Sequence, residues 1–185
     1  YAQHKPAAYF QWQFFAPEMP AALVVAEADG EVVGSFGFMK RALTHGLRAA
    51  QAMDMLLGEP FRGQGLFAQM AAQAAAAFPE VDVHLVLANR AGMAAVARRL
   101  GWSVVAQVPV YAASLAGATE MPVSPAPIEA ESGAEALRIR YDEAVEAWRF
   151  AAHPVNRYHR LEASGLRGYL KCFADPGDSA RRFGD

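Results

Sequence analysis

Arg62-Gly63-Gln64-Gly65-Leu66-Phe67 joins an apolar strand, which is predicted to end at Leu57, to an alanine-rich helix that runs to Phe78. The two glycines allow successive backbone N–H groups to turn toward one point. The first turn of the helix adds unpaired N–H donors and the positive end of the helix dipole. The join is therefore a predicted anion site of a size suited to a pyrophosphate. Because the helix is rich in alanine, we expect it to lie close against a sheet.

Spacing separates the phosphate motifs that this stretch could represent. A Walker loop ends in Gly-Lys-Ser/Thr, whereas this chain continues as Gly65-Leu66-Phe67, which excludes it. A dinucleotide fingerprint is closer, since Gly63, Gly65 and Ala68 fit G-x-G-x-x-A and Asp82 follows about 20 residues later. However, the strand does not lead directly into the first glycine, and Asp82 opens the next strand instead of closing it. We therefore disfavour the dinucleotide interpretation.

The third possibility is the phosphate-binding motif of a known family. The residues from Arg62 to Phe67 resemble the R/Q-x-x-G-x-G/A signature of the GNAT family of N-acetyltransferases, although Phe67 stands where the family usually has Gly or Ala. The order of elements is also similar: a strand at 81–88 and Asn89 precede a helix that is closed by Leu100-Gly101-Trp102. The resemblance covers residues 12–115. It implies a mixed α/β fold with a mostly antiparallel sheet flanked by helices, opening after Leu57 to admit a cofactor.

In this family the cofactor is acetyl-CoA, and the resemblance implies where its parts would bind. The backbone of Met55, Leu56 and Leu57 would pair with the pantetheine amides. Asn89 would reach the pantetheine from the far side, although a helix cap explains this residue equally well. The pyrophosphate would be held by Arg62, Gly63, Gln64, Gly65, Leu66 and Phe67.

The resemblance further implies direct transfer of an acetyl group to a primary amine of a small molecule or an amino sugar. Asp54 is the candidate general base, because it is a carboxylate within the apolar run Met53-Asp54-Met55-Leu56-Leu57. A structural alternative is that it caps a loop or meets an arginine. Tyr111 is the candidate acid if its hydroxyl faces the cleft. His84 is predicted to be a packing residue.

A different function class stays open. The later helix has Val96 and Ala97 about where many family members place a tyrosine general acid. This departure favours the alternative of a non-catalytic acyl-CoA-binding or scaffolding domain. Turnover of acetyl-CoA in the presence of amines distinguishes the two.

The composition of the chain excludes several other classes of function. A chain of 185 residues with a net charge of −2 provides no electrostatic footprint for nucleic acid, and it contains no apolar run long enough for a membrane helix. Five scattered histidines predict no metal site. The single cysteine, Cys172, favours a reducing compartment such as the cytoplasm. Because the sequence starts with Tyr1, we expect the natural N-terminus to lie upstream.

The residues before the glycine-rich join predict a helix and three antiparallel strands. The helix spans residues 5–15 and is rich in aromatic side chains, which we expect to pack in the core or, for one or two rings, to line an acceptor cleft. Asp29-Gly30 is a strong turn signal between strands at 22–28 and 31–41. A second turn at 44–46 precedes the strand at 47–57.

The predicted domains are an acetyltransferase unit at 1–117, a Pro-rich linker at 118–132 and a partial second unit at 133–185. Residues 135–150 are helical by pattern. The sequence around Trp148 and Gly168 echoes that around Trp12 and Gly34. Strands at 157–162 and 166–173 are expected to dock on an edge of the first sheet, in the same chain or in a second copy, which would form a homodimer. Coincidence and a shortened second unit are the alternatives.

Overall fold

The computed structural model of the chain describes residues 5–16, 19–106, 136–163 and 166–171. Its elements are, in order, α1 (Ala7–Phe15), β1 (Ala21–Ala28), β2 (Glu31–Ala42), β3 (Arg48–Leu57), α2 (Leu66–Ala76), β4 (Val83–Val86), α3 (Arg90–Leu100), α4 (Glu143–Glu146), β5 (Tyr158–Ala163) and β6 (Leu166–Lys171). Single 3₁₀ turns at Thr44–Gly46 and Glu59–Phe61 flank β3. A π-helix at Ala147–Ala151 continues α4.

The main sheet has four strands in the order β1-β2-β3-β4. The first three are antiparallel, and β4 is parallel to β3. The β1–β2 turn places Asp29 and Gly30 at φ 52° and 79°, in the left-handed region that two-residue hairpins require. This confirms the predicted mixed α/β fold, its mostly antiparallel sheet and the hairpin at Asp29-Gly30.

Helices cover both faces of this sheet. Helix α2 buries the larger cluster, which includes Phe36, Phe38, Ala50 and Ala74, all at most 1% exposed. On the opposite face α1 lies so close to β2 that a Cβ atom on Gly37 would come within 2.6 Å of the Phe14 ring. Position 37 therefore has to be glycine for α1 to pack as it does.

Strands β3 and β4 diverge within the sheet. Their pairing runs from Ala49 opposite Val83 to Ala52 opposite Val86, and no pair follows it. On the other side of β3, Met53, Leu56 and Leu57 remain paired with β2. The opening thus begins at residue 53, earlier than the expected position after Leu57, because β4 ends at Val86 and does not extend to residue 88.

A β-bulge lies at the start of this opening. Met53 is opposite Gly37 and Leu56 is opposite Ser35, so that Asp54 and Met55 together face a single residue of β2. Asp54 has φ 48°, which an aspartate tolerates better than most residues. The Ser35 hydroxyl donates to the Asp54 carbonyl at 2.7 Å, which satisfies the acceptor that the bulge displaces.

The C-terminal part differs from its prediction. The helix predicted at 135–150 begins only at Glu143, where Asp142 caps it by accepting from the Val145 N–H at 2.9 Å. The preceding residues are extended instead, because their backbone pairs with the end of β2. Arg140 N–H donates to Ala42 O at 2.8 Å, and Thr44 N–H donates to Arg138 O at 2.9 Å.

Trp12 and Trp148 join the two parts of the chain. Trp12 Nε1 donates to Trp148 O at 2.9 Å and Trp148 Nε1 donates to Trp12 O at 3.0 Å. Their rings stack with centres 4.6 Å apart. Arg41 lies 5.9 Å from the Trp148 ring centre, and burial lowers the pKa of its guanidinium. The two tryptophans, which lie in similar sequence segments, therefore form a reciprocal pair of hydrogen bonds.

The C-terminal hairpin forms as predicted, but within this chain its described strands do not join the edge of the main sheet. Docking on a second copy remains a prediction. Strands β5 and β6 pair with each other and form a separate two-stranded sheet. Tyr169 of β6 instead stacks on Phe150 with ring centres 3.6 Å apart. The C-terminal residues thus contact the first unit through Trp148 and residues 138–140, and the partial second unit remains a prediction.

Several predicted features fall outside the described residues: Tyr111, Cys172 and the linker at 118–132. The domain boundaries therefore remain predictions. Among the helices that the structure describes, none is long and apolar enough to cross a bilayer.

Candidate functional site

The glycine-rich join forms a cradle at the N-terminus of α2. Gly63 and Gly65 both have φ 82°, and a Cβ atom at Gly63 would meet nothing within 4 Å. At Gly65 it would meet only the Gln69 amide, at 3.9 Å. Gly65 is the N-cap of α2 and has no side chain to cap the first turn, so that the unpaired N–H groups remain available to a ligand. The space beside the glycines is therefore open to a ligand, and the anion site remains a prediction.

The side chains around the cradle are held by the loop itself. Arg62 Nε donates to Leu57 O at 3.1 Å, and Gln64 Nε2 donates to Pro60 O at 3.1 Å. Phe67 packs edge-on against Phe36 at 5.3 Å, within the core under α2. Its departure from the family signature thus leaves its backbone N–H in the first helical turn while its ring contributes to the core.

The first turn of α3 is close to the open part of β3. A Cβ atom at Gly92 would lie 3.8 Å from the terminal methyl of Met55. Asn89 caps α3, because its Oδ1 accepts from the Gly92 N–H at 2.8 Å. The capping interpretation of Asn89 is confirmed, and its contact with a pantetheine remains a prediction. The fold therefore places Asn89 and the 53–57 edge on the two sides of one opening.

Asp54 projects from the bulge toward α1, where two side chains donate to it. Lys5 Nζ forms an ion pair with Oδ1, and Gln13 Nε2 donates to Oδ2 at 2.5 Å. The Asp54 side chain is only 15% exposed. The structural alternative was a loop cap or a contact with an arginine, and the structure shows neither: the partners of the carboxylate are a lysine and a glutamine. The role of general base remains a prediction.

The residues around Asp54 also favour a cation. Lys5 Nζ lies 4.5 Å from the centre of the Tyr9 ring, a cation–π distance. Gln13 is 4% exposed, and its Oε1 is buried without a hydrogen-bond partner among the described residues. Since Nε2 has to face the carboxylate, this second acceptor is fixed in its orientation. A carboxylate and an aromatic face therefore meet one ammonium group, and the buried Gln13 orients the carboxylate.

Two other candidates lie away from this site. Asp82 Oδ2 accepts from the Arg48 N–H at 2.7 Å, at the end of β3 remote from the cradle. This position rules out the ribose-binding role that a dinucleotide fold would require. His84 contacts the rings of Phe38 at 5.1 Å and Trp102 at 6.0 Å, as expected for a packing residue. In the part of the chain that the structure describes, no group of three or more metal-ligating side chains occurs.

Comparison with known proteins identifies the family. Residues 1–102 match the Acetyltransferase (GNAT) family. This match spans more than half of the chain, so the protein belongs to that family, as the glycine-rich signature predicted. No curated protein matches the sequence.

Solved structures with similar folds include several acetyltransferases. One is an aminoglycoside acetyltransferase from an uncultured soil metagenomic sample, with TM-score 0.47, 15% identity, and coverage of 60% of this chain and 76% of that chain. Another is a ribosomal-protein-alanine N-acetyltransferase from Brucella melitensis biovar Abortus 2308, with TM-score 0.42, 21% identity and coverages of 50% and 70%. A glucosamine-6-phosphate N-acetyltransferase from Arabidopsis thaliana has TM-score 0.42, 13% identity and coverages of 49% and 66%. The chain thus spans about two thirds to three quarters of these proteins, and the family assignment rests on the sequence match.

Sequence reasoning missed three residues around Asp54: Lys5, Gln13 and Ser35. They lie 49, 41 and 19 residues from Asp54, so that only the folded sheet brings them together. A weak signal was available for Gln13, which is a polar residue between Trp12 and Phe14 in a mostly apolar helix. No comparable signal distinguishes Lys5.

Proposed function

We propose that the protein is an N-acetyltransferase that uses acetyl-CoA and transfers the acetyl group directly to a primary amine of a small molecule or an amino sugar. The observation that carries the proposal is the open edge of β3 between the anion cradle at 62–67 and the carboxylate of Asp54. Membership of the GNAT family supports it further.

In this proposal the cradle and the strand edge bind the cofactor. Arg62, Gly63, Gln64, Gly65, Leu66 and Phe67 hold the pyrophosphate through backbone N–H groups and the α2 dipole. The backbone of Met55, Leu56 and Leu57, on the edge of β3 that β4 does not cover, pairs with the pantetheine amides, and Asn89 borders the arm from α3. The Leu57 carbonyl already accepts from Arg62 Nε, which links this edge to the cradle. From Leu57 back to Asp54 the strand rises about 10 Å, since each residue adds ~3.4 Å. An arm laid along this edge therefore points toward the bulge.

The chemistry requires positioning and proton transfer. Acetyl-CoA supplies an acetyl group activated as a thioester. Asp54 is the proposed proton acceptor for the attacking amine, and Tyr111 is the proposed acid for the leaving sulfur. Gln13 fixes the Asp54 carboxylate by its hydrogen bond, so that the base keeps one orientation. Direct transfer needs no covalent enzyme intermediate.

A matched pair of glycine variants tests the cofactor site. Gly65 and Gly101 have similar backbone conformations, φ 82° and 70°, but Gly101 closes α3 and has no place in the cradle. Gly65→Val should fill the space beside the first helical turn and weaken acetyl-CoA binding more than ~10-fold, a loss of at least about 1.4 kcal/mol. Gly101→Val should bear a similar backbone strain and bind normally. Equal calorimetric affinities in folded Gly65→Val and Gly101→Val proteins would refute the proposed pyrophosphate site.

The enzymatic part of the proposal has a separate test. The loss of thioester is followed with saturating acetyl-CoA and a panel of small amines and amino sugars. Turnover on at least one amine supports the transferase. Binding without turnover on any amine favours the alternative, a non-catalytic acyl-CoA-binding or scaffolding domain.

A further inference from the structure

The ammonium of Lys5 occupies a site that is built to hold a primary amine. It pairs with Asp54 and lies over the Tyr9 ring, and the buried Gln13 supplies both a donor to the carboxylate and an unused acceptor. An exposed surface lysine normally has water around it and gains little from an ion pair. Here the carboxylate is 15% exposed and the glutamine is 4% exposed. The site is therefore formed by the fold and not by the lysine alone.

The ammonium site lies where the proposed acetyl transfer would take place. Asp54 lies in the bulge at the start of the β3–β4 opening, the place where the proposed cofactor arm would present its thioester. Lys5 precedes α1, whose Gln13 and Phe14 pack on β2 and β3. The side chain thus reaches the opening from the α1 face of the sheet.

We propose that Lys5 is an internal acetyl acceptor, so that the protein acetylates its own Lys5 Nζ at the bulge. This inference rests on the proposed function, since acetyl-CoA is the donor. Lys5 Nζ loses one proton through Asp54 to solvent and attacks the thioester carbon, which forms the amide bond and breaks the carbon–sulfur bond. A second proton passes from Nζ to the departing thiolate. The products are acetyl-lysine, free coenzyme A and one released proton. Neutral acetyl-lysine cannot pair with Asp54, so the carboxylate becomes available to an external amine.

The chain contains a matched control for this reaction. Of its three lysines, Lys5 and Lys40 have the same side-chain exposure, 31%, and each pairs with one carboxylate. Lys40 donates to Glu80 at 2.5 Å, on a turn after α2 and away from the β3 opening. Non-enzymatic acetylation should therefore modify both at similar rates, whereas a reaction at the bulge should select Lys5.

The experiment incubates the full chain with acetyl-CoA and follows acetylation of each lysine by peptide mass spectrometry. We expect Lys5 to be modified at least about 10-fold faster than Lys40, with a rate constant that does not change on tenfold dilution of the protein. Asp54→Asn should slow the Lys5 reaction at least about 10-fold, and Glu80→Gln should leave it unchanged. Lys5→Arg retains the ion pair, cannot form the amide, and should abolish the modification at position 5.

A measurement without the donor tests the docking of the lysine itself. Lys5→Gln removes the ammonium, and exchange of the hydrogen-bonded amides of α1, such as the Tyr9 N–H that donates to Pro6 O, should become faster because the ion pair no longer anchors the helix. Unchanged exchange would overturn the inference.

The outcomes separate the inference from the proposed function. If external amines are acetylated but Lys5 reacts no faster than Lys40, the internal acceptor is wrong and the transferase stands. If acetyl-CoA does not bind at all, the proposed function fails and the inference fails with it. A Lys5 rate that rises with protein concentration would show transfer between molecules and would also refute the internal reaction.

Discussion

The reciprocal tryptophan pair predicts that the N-terminal and C-terminal parts of the chain unfold as one unit. Trp148 is 4% exposed, and its indole N–H satisfies the carbonyl of Trp12. In Trp148→Phe that buried carbonyl loses its donor, which costs about 1–3 kcal/mol, and the smaller ring adds a cavity of about 1 kcal/mol. We therefore expect each single variant, Trp12→Phe and Trp148→Phe, to lower the free energy of unfolding by roughly 2–4 kcal/mol.

The double variant decides whether the pair acts as a unit. Two stacked aromatic rings contribute about 0.5–1.5 kcal/mol beyond their burial, and residues in contact are coupled by similar amounts. Trp12→Phe combined with Trp148→Phe should then be less destabilising than the sum of the singles by about 0.5–1.5 kcal/mol. Urea unfolding followed by far-ultraviolet circular dichroism gives the four free energies without relying on tryptophan fluorescence.

Trp102 provides the control for this cycle. It stacks on Phe38 at 6.3 Å, in the cluster on the α2 face of the sheet. Trp102→Phe should combine additively with Trp12→Phe, within about 0.3–0.5 kcal/mol, because the two share no partner. Additivity between Trp12 and Trp148 would refute the argument that the contact between their stacked side chains couples the two residues.

Three further predictions follow from the described contacts. Asp54→Asn should lower kcat by roughly 10²- to 10⁴-fold with little change in acetyl-CoA affinity, and near-normal turnover would make Asp54 a structural residue. A chain that ends before residue 136 loses the partner of Trp12 and should melt roughly 10 °C lower, whereas an unchanged Tm would contradict the packing described above. Lys40 donates to the Glu80 carboxylate and holds its pKa below its usual value. The stabilisation by this pair is therefore present above the unfolded-state pKa of Glu80 and is lost as pH falls through its folded-state pKa. When Tm is measured against pH, Glu80→Gln should reduce the fall of Tm on acidification. An equal fall in Glu80→Gln and in the parent protein would contradict a stabilising role of the pair.

Local patterns in the sequence were sufficient for most of the fold. Asp29-Gly30 predicted the hairpin because few dipeptides tolerate two consecutive residues at positive φ. The glycine-rich join predicted the cradle for the same reason, and Asn89 with Leu100-Gly101 marked both ends of α3. These features depend on a few neighbouring residues, which is why the sequence alone was informative about them.

Contacts between distant segments could not be predicted in this way. The helix expected at 135–150 begins eight residues late because residues 138–140 pair with the end of β2. This end extends beyond Ala21, the first residue of β1, which lies opposite Met39, so that β1 does not cover it. Helical periodicity carries no information about an edge that another segment leaves unpaired. The Asp142 cap was a readable signal for the later start, since Asp is a preferred N-cap residue.

The bulge at Asp54 explains how a carboxylate can lie within an apolar strand without entering the core. Ala50 and Ala52 face α2, and a regular strand would next turn Asp54 and Leu56 toward that core. The extra residue shifts the alternation by one position, so that Met55 and Leu57 contact the α2 cluster instead. Asp54 is thereby released toward α1, where Lys5 and Gln13 meet it. The shift in the alternation of apolar residues is visible in the sequence, but its cause is the backbone conformation of Asp54, which has φ 48°. One inserted residue thus keeps the core apolar, places the candidate base at the opening, and orients it toward the ammonium site.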